Sequence, residues 1–254
     1  MKSQEHKVAS KGLKHQVMEQ HPSLRSYLPR TSWFSQESLN RWATRFPVTF
    51  LKPDQGGGGT GILRIRREGG GSFEVCDRRF CCSVLSSDLY TAVKKKILPE
   101  RRYLVQEGIQ LAVIRGRPFD IRVMLQKPGG RWVISGMVAK VAAKGQFVTN
   151  RCKGGRPLTV ERALEEVSIR EKREVEEVLR ELKQMSLLTA KVLGARFPGL
   201  RELGIDVGMD RRGHLWVFEV NTRPRFQLFR KVGQPRLYSR ILQTHRRLWI
   251  GASR

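Results

Sequence analysis

Apolar and polar residues alternate along this chain in many short runs, and only one long stretch keeps a helical period over several turns. In residues 1–47, short helical signals mix with turns. Leu39, Trp42 and Ala43 recur at helical spacing behind Ser35 or Ser38 as a cap, and Pro47 ends that run. Strands are predicted at 48–51, 61–66 and 73–84, separated by a glycine loop at 56–61 and a glycine turn at 69–71. A helix over 87–97 is stopped by Pro99. Strands 103–109, 119–126 and 132–142 follow, the last two divided by Pro128, Gly129 and Gly130. Residues 159–193 read as helical, with Val175, Val178, Leu179, Leu182 and Met185 on one face and charged residues on the other. Residues 203–209 and 215–220 form a strand pair around a turn holding Asp210 and Gly213. The pattern predicts an α+β chain without internal repeats.

At 254 residues the chain can bury a sizeable core, as one two-lobed domain or two small ones. No run approaches the roughly 18 consecutive apolar residues of a membrane helix. The first residues also lack the apolar core of a signal peptide, so a cytoplasmic protein with no membrane span is expected. Cys76, Cys81, Cys82 and Cys152 contain no C-x-x-C pair and no zinc-like spacing, which predicts reduced thiols packing as small hydrophobes.

Charge changes the picture most. Lys and Arg number 49 against 23 Asp and Glu, a formal charge of +26. From residue 220 to the end there are nine Lys or Arg and no acid, interleaved with Phe226, Phe229, Tyr238 and Trp249. Such a segment attracts polyanions through a salt-sensitive field. Its aromatics suit a single-strand nucleic-acid binder or an amphipathic helix packed on a core.

Gly56, Gly58 and Gly61 satisfy G-x-G-x-x-G, yet they lead into the β-branched run GILRIR rather than a helix, which excludes a dinucleotide fold. No Lys-Ser or Lys-Thr closes the loop, so it is not a Walker A motif, and the H-R-D and D-F-G motifs of protein kinases are absent. What remains is a strand, a glycine loop and a strand, whose backbone N–H groups can approach a polyphosphate because no Cβ intervenes. Lys52 precedes the loop, placed either to reach phosphate oxygens or to sit solvated beside a flexible turn.

In ELGIDVGMDRRGHLWVFEVNTRP, Asp206 lies on one strand and Glu219 and Asn221 on the next. Glu219 and Asn221, two residues apart, share a sheet face, and the antiparallel turn brings Asp206 toward them. Three hard oxygen ligands suit Mg²⁺. A carboxylate within the apolar run 215–220 needs a cation or donor beside it, either the metal or one of the many arginines. Asp210 reads as a turn residue.

These segments, LKPDQGGGGTG, YLVQEGI, FDIRVMLQ, VTNRCKGG and ELGIDVGMD…VFEVNTRP in that order, resemble the ATP-grasp superfamily, and most closely its YheC/YheD endospore-coat-associated branch. The resemblance spans about residues 11–229. It implies an ATP-grasp fold in which two α+β lobes clamp ATP between them, with a lead-in at 1–47, a small lobe at 48–105, a large lobe at 106–235 and a basic tail at 236–254. It assigns Lys52 and the loop of Gly56, Gly57, Gly58, Gly59 and Gly61 to the phosphates. Gln106, Glu107, Gly108 and Ile109 are assigned to adenine and ribose, and Lys11, with Lys14 as rival, to a second nucleotide contact. Asp120 and Arg122 form the D-x-R motif, Arg122 aimed at the transferred phosphate or a substrate carboxylate. Asn150 matches the asparagine before a glycine pair in the ribosomal-protein glutamate ligases. Asp206, Glu219 and Asn221 match the magnesium ligands.

Three departures stand out. Lys140 replaces the arginine that those glutamate ligases carry ahead of VTN, keeping charge but losing the fork. TRPRF follows EVN in place of a Pro-Gly pair, and the separate N-terminal domain of many ATP-grasp ligases is reduced to some 47 residues. The resemblance implies an ATP- and Mg²⁺-dependent ligase joining a small-molecule or peptide carboxylate to an amine or thiol through an acylphosphate. Anionic polymers or spore-coat components are possible partners. The rival readings are an ATP-binding coat-associated protein that has lost its chemistry and a basic nucleic-acid binder. The acidic triad disfavours the last, because carboxylates repel phosphate unless metal is bound.

Overall fold

The structure, a computed structural model, describes residues 8–143, 157–168, 173–232 and 234–250. In chain order, α1 (Lys11–Glu19) and α2 (Pro22–Arg25) precede β1 (Thr31–Trp33), α3 (Gln36–Arg45) and β2 (Val48–Pro53). Then come β3 (Leu63–Arg67), β4 (Ser72–Cys76), β5 (Cys81–Leu85), α4 (Leu89–Lys96) and β6 (Tyr103–Glu107). The second half holds β7 (Val113–Ile114), β8 (Arg117–Gln126), β9 (Val133–Val141), β10 (Pro157–Leu158), α5 (Val160–Glu166), β11 (Val167–Ser168) and α6 (Val175–Arg196). It ends with β12 (Glu202–Met209), β13 (Leu215–Asn221) and α7 (Pro235–Ile250).

These elements form two units. One comprises Ala9–His15 and Pro29–Ile109, the other Gln16–Leu28 and the described residues of Gln110–Arg254. Residues 29–47, expected in a lead-in of short helices, therefore group with the glycine-loop unit and include a strand, as do residues 106–109.

The first unit is an antiparallel sheet in the order β1-β6-β2-β3-β4-β5. Leu39 and Ala43 of α3 and Leu89 and Val93 of α4 pack on Leu51, Leu63, Ile65, Phe73, Val75 and Val105. Both serines proposed as caps of α3 take part: Ser35 Oγ accepts from Ser38 N, and Ser38 Oγ accepts from Ser35 N. The single strand expected over 73–84 is two. Asp77 breaks it, its Oδ1 accepting from the backbone N–H of Arg79 and Phe80 in a tight turn. That turn sets Cys76 opposite Cys81, and the two form a disulfide, which corrects the expectation of reduced, packed thiols. Cys82 is a free thiol but is exposed rather than packed. Cys152 lies outside the described residues.

The second unit is built on the antiparallel order β10-β9-β8-β12-β13. Ile121, Val123 and Leu125 of β8, Leu203, Ile205 and Val207 of β12, and Ala139 and Val141 of β9 bury one face, together with Val178, Leu182, Met185 and Leu193 of α6. The helical pattern read over 159–193 is interrupted by β11, which pairs with β7. Toward one end of the opposite face, Met124 and Val138 pack on Phe226, Phe229 and Ile241, so the aromatic and basic C-terminal segment supplies an amphipathic helix to a core. Glu202 at the start of β12 anchors that helix, accepting from Gln126 Nε2 at 2.8 Å and Trp249 Nε1 at 2.9 Å, with His245 Nδ1 2.7 Å away. No helix among the described residues is long and apolar enough to cross a membrane.

Candidate functional site

Side-chain parity on β8, β9, β12 and β13 decides what the second unit presents. Residues opposite one another in an antiparallel pair share a face. Register pairs Arg122 with Asp206 and Asp120 with Lys140, and Arg122 lies two residues beyond Asp120. Across β12 and β13, Val207 faces Val217 while Asp206 faces Glu219, so Phe218 is the extra residue of a bulge. Without that bulge Phe218 would stand opposite Asp206. The inserted residue instead places Glu219 there and Asn221 two positions further on the same face.

The result is a polar row across the face of the sheet opposite the main core. Arg122 donates from Nε to Asp206 Oδ1 and from Nη2 to Oδ2, both at 2.8 Å. Lys140 Nζ lies 2.9 Å from Asp206 Oδ1 and 2.7 Å from Asp120 Oδ1, and Asn221 Nδ2 donates to Asp206 Oδ2 at 3.4 Å. Asp120, Lys140 and Asp206 are buried. Burial alone would raise the Asp206 pKa, but Arg122 and then Lys140 outweigh it and bring the group down to about 2. Burial likewise works against the charges on Arg122 and Lys140. Their carboxylate partners reverse it, and both pKa values rise, with Glu219 among the contributors at Arg122.

Two glycines make room for this row. A Cβ on Gly204 would fall 2.7 Å from Pro224 Cβ and 2.8 Å from Arg122 Nη1. On Gly208 it would meet the Phe218 ring at 2.2 Å. The glycines flanking Asp206 are therefore steric requirements of the arginine and of the bulge. At the hairpin end Asp210 is a turn residue, as its position implies, accepting from Arg212 N and His214 N through Oδ1 and from Trp216 Nε1 through Oδ2.

The glycine-loop unit gathers a second set. Lys52 on β2 donates through Nζ to Gln106 Oε1 on the neighbouring β6, and Gln106 Nε2 donates to Thr31 Oγ1 at 2.9 Å. Lys11 Nζ donates to Gly56 O at 2.7 Å, whereas its rival Lys14 is buried. Gly56, Gly58, Gly59 and Gly61 all have positive φ, which other residues rarely adopt. Nothing lies within 4 Å of where a Cβ would sit on Gly57 or Gly58, so the backbone there is open to a ligand. Glu107 Oε1 accepts from Arg30 N, and Gly108 N donates to Val48 O at 2.8 Å. Ile109 lies just beyond the end of β6. Asn150 lies outside the described residues.

Sequence reading missed two contributors here. Asp54 is buried and accepts through Oδ1 from Ser10 Oγ at 2.9 Å and Gly12 N at 2.8 Å, which fixes the start of α1 beside the loop. An acid two residues before a glycine run was the available signal. Arg78, in the β4–β5 turn, donates to Gly58 O, and nothing in its local sequence marks it.

Comparison with known proteins completes the picture. A family described as YheC/D like ATP-grasp matches residues 2–247. Endospore coat-associated protein YheD of Bacillus subtilis (strain 168) is 29% identical over 246 residues, covering 94% of this chain and 52% of the relative. YheC of the same organism is 22% identical over 212 residues, covering 82% of this chain and 57% of the relative. The chain thus spans little more than half the length of either. Among solved structures, the ATP-grasp ligase PsnB complexed with a minimal precursor superposes with a TM-score of 0.54 at 15% identity over 93% of this chain and 60% of that one. A PsnB complex with a phosphomimetic precursor variant, Mg and ADP gives 0.53 at 16% identity, over 93% and 59%. The fold is therefore that of the ATP-grasp proteins, and with a family match running almost from end to end the chain belongs to the YheC/D-like ATP-grasp family.

Proposed function

We propose that this protein is an ATP- and Mg²⁺-dependent ligase that activates a carboxylate and passes it to an amine or thiol. The observation that carries this reading is the row Arg122–Asp206–Glu219–Asn221, backed by Lys140 and Asp120, on the face of a sheet whose other side is closed core. Attack of a carboxylate on the γ-phosphate brings two anions together, so the task is electrostatic. Arg122, held in place by Asp206 on the adjacent strand, would supply a fixed positive charge for it. Lys52 and the open backbone at Gly57 and Gly58 address phosphate oxygens. The acylphosphate so formed is captured by the acceptor, releasing phosphate beside ADP.

The residues fit Mg²⁺. Glu219 and Asn221 are hard oxygen donors two apart on β13, and with Asn221 Nδ2 donating to Asp206, its Oδ1 is the atom that would serve as ligand. Asp206 completes the set once one of its donors yields. The ion supplies neutralisation of phosphate charge when bound. PsnB structures hold a minimal precursor with Mg and ADP, or a precursor peptide with AMPPNP, which supports a peptide as a substrate class here. The names of the relatives support association with the endospore coat.

The test is an acceptor panel read by ADP release, with and without Mg²⁺. Acceptor-stimulated release supports the ligase. A second reading is favoured by one observation. Both Asp206 oxygens already accept two bonds each, from Arg122, Lys140 and Asn221, as a site that has settled into a structural ion cluster would show. ATP binding without acceptor-stimulated ADP release supports that reading, an ATP-binding coat-associated protein without ligase chemistry.

A further inference from the structure

The disulfide between Cys76 and Cys81 closes a turn that touches the glycine-rich loop. Residues 77–80 close the hairpin over the bond. Arg78 from this turn donates to Gly58 O, and a Cβ on Gly59 would come within 2.6 Å of its guanidinium. Asp77 holds the turn to α4 through Lys96 Nζ at 3.1 Å. The two cysteines differ in exposure: Cys76 is fully buried, whereas Cys81 is exposed and follows Phe80, which is 70% exposed. Arg64 Nη2 lies 3.4 Å from Cys76 Sγ. The nearby Glu74 carboxylate is paired with both Arg64 and Arg66, so it opposes a negative sulfur less than an unpaired carboxylate would.

We propose that Cys76–Cys81 is a thiol–disulfide exchange site for a dithiol, and that its state sets the order of the glycine-rich loop. A thiolate of the dithiol attacks the accessible Cys81 Sγ. The protein S–S bond breaks and its electron pair leaves on Cys76 Sγ, where the Arg64 guanidinium stabilises the departing thiolate. The dithiol's second sulfur then attacks the mixed disulfide and releases Cys81. The reductant leaves as a cyclic disulfide, having given two electrons, and its two protons end on Cys76 and Cys81. With the cross-link open, the turn gains conformational freedom and the grip of Arg78 on Gly58 loosens. The exchange site stands independently of the nucleotide reading. A change of ATP affinity with the state of the bond would follow only on that reading.

The experiment uses the full chain purified without reductant and the same protein treated with dithiothreitol. Alkylation followed by mass measurement should count two more thiols after treatment than before it, at Cys76 and Cys81. Amide hydrogen exchange at residues 57–61 should speed up by about 3- to 10-fold on reduction. Arg78→Ala should produce the same acceleration with the thiol count unchanged, so the test does not depend on a cysteine variant folding. Four reactive thiols in protein never exposed to reductant, or loop exchange indifferent to reduction, overturns the proposal. A loop response accompanied by no ATP binding in either state supports the exchange site and removes the nucleotide reading instead.

Discussion

Arg122 grips Asp206 in a two-point fork, Nε on Oδ1 and Nη2 on Oδ2, each at 2.8 Å, with the carboxylate buried and the guanidinium partly so. The planar guanidinium fixes the carboxylate's orientation as well as its charge, which a lysine at the same place would not do. Asp206→Asn keeps the shape and removes the charge, leaving Arg122 and Lys140 short of a counter-ion. The expected loss is about 3 kcal/mol of stability, the usual result of breaking one side of a buried pair. A second signature separates charge from packing. The wild-type Asp206 pKa is depressed to about 2, so its contribution is present above the unfolded value near 3.8 and is lost as pH falls from there toward 2. Urea titrations across that window should show this acid sensitivity in the wild type and a shallower one in the variant.

Glu219 owes its place to the bulge at Phe218 and is half-buried opposite Asp206. Glu219→Gln keeps size and hydrogen bonding but removes the anionic ligand. Mg²⁺-dependent ADP release should fall by about 100-fold or more. The melting temperature should move by only about 2 °C, as for a substitution away from the packed core. Turnover like that of the wild type would remove Glu219 from the metal site.

The strands of the polar row could be read from alternation alone, because β8, β9, β12 and β13 each carry apolar residues on the core face and charged ones opposite. Asp206, Glu219 and Asn221 were visible for the same reason. The bulge was not, since a register shift exists only relative to a partner strand and leaves no local mark. Residues 73–84 read as one strand because apolar side chains and cysteines continue on both sides of the turn, and only the Asp77 side chain turns the chain back. Asp54 escaped notice because its partners, Ser10 and Gly12, lie more than forty residues earlier. Pattern reading recovers what is periodic and misses what depends on distant pairing.

Lys52 and Gln106 lock together across β2 and β6, so Lys52→Ala should have two separable effects. Removing the ammonium should weaken ATP binding by about 10-fold or more, the loss of one charge-assisted contact. Losing the donor to the buried Gln106 oxygen should also cost about 1–3 kcal/mol of stability. Pairing Lys52→Ala with Gln106→Leu should restore much of the stability and none of the affinity. Calorimetric ATP affinity equal to that of the wild type would move the phosphate contact to another lysine.

His15 on α1 is buried, and its pKa is lowered from 6.5 to about 4, first by burial and then by the charge of Lys52. The neutral ring is the form the fold accepts, whereas the unfolded chain protonates it below about pH 6.5. Between those two values the unfolded state binds more protons, so stability falls as pH falls, and below about 4 the loss is complete. From pH 7 to pH 5 this single group should remove about 2 kcal/mol. That window lies well above the one in which Asp206 acts, so the two can be measured in one pH series. A His15→Asn variant, which cannot titrate, should flatten the upper window and leave the lower one unchanged. Since the burden comes partly from Lys52, Lys52→Ala should raise the folded-state value, so the loss begins at the same pH, is complete at a higher one and is smaller in total. A lower limit that does not move would leave burial as the whole cause.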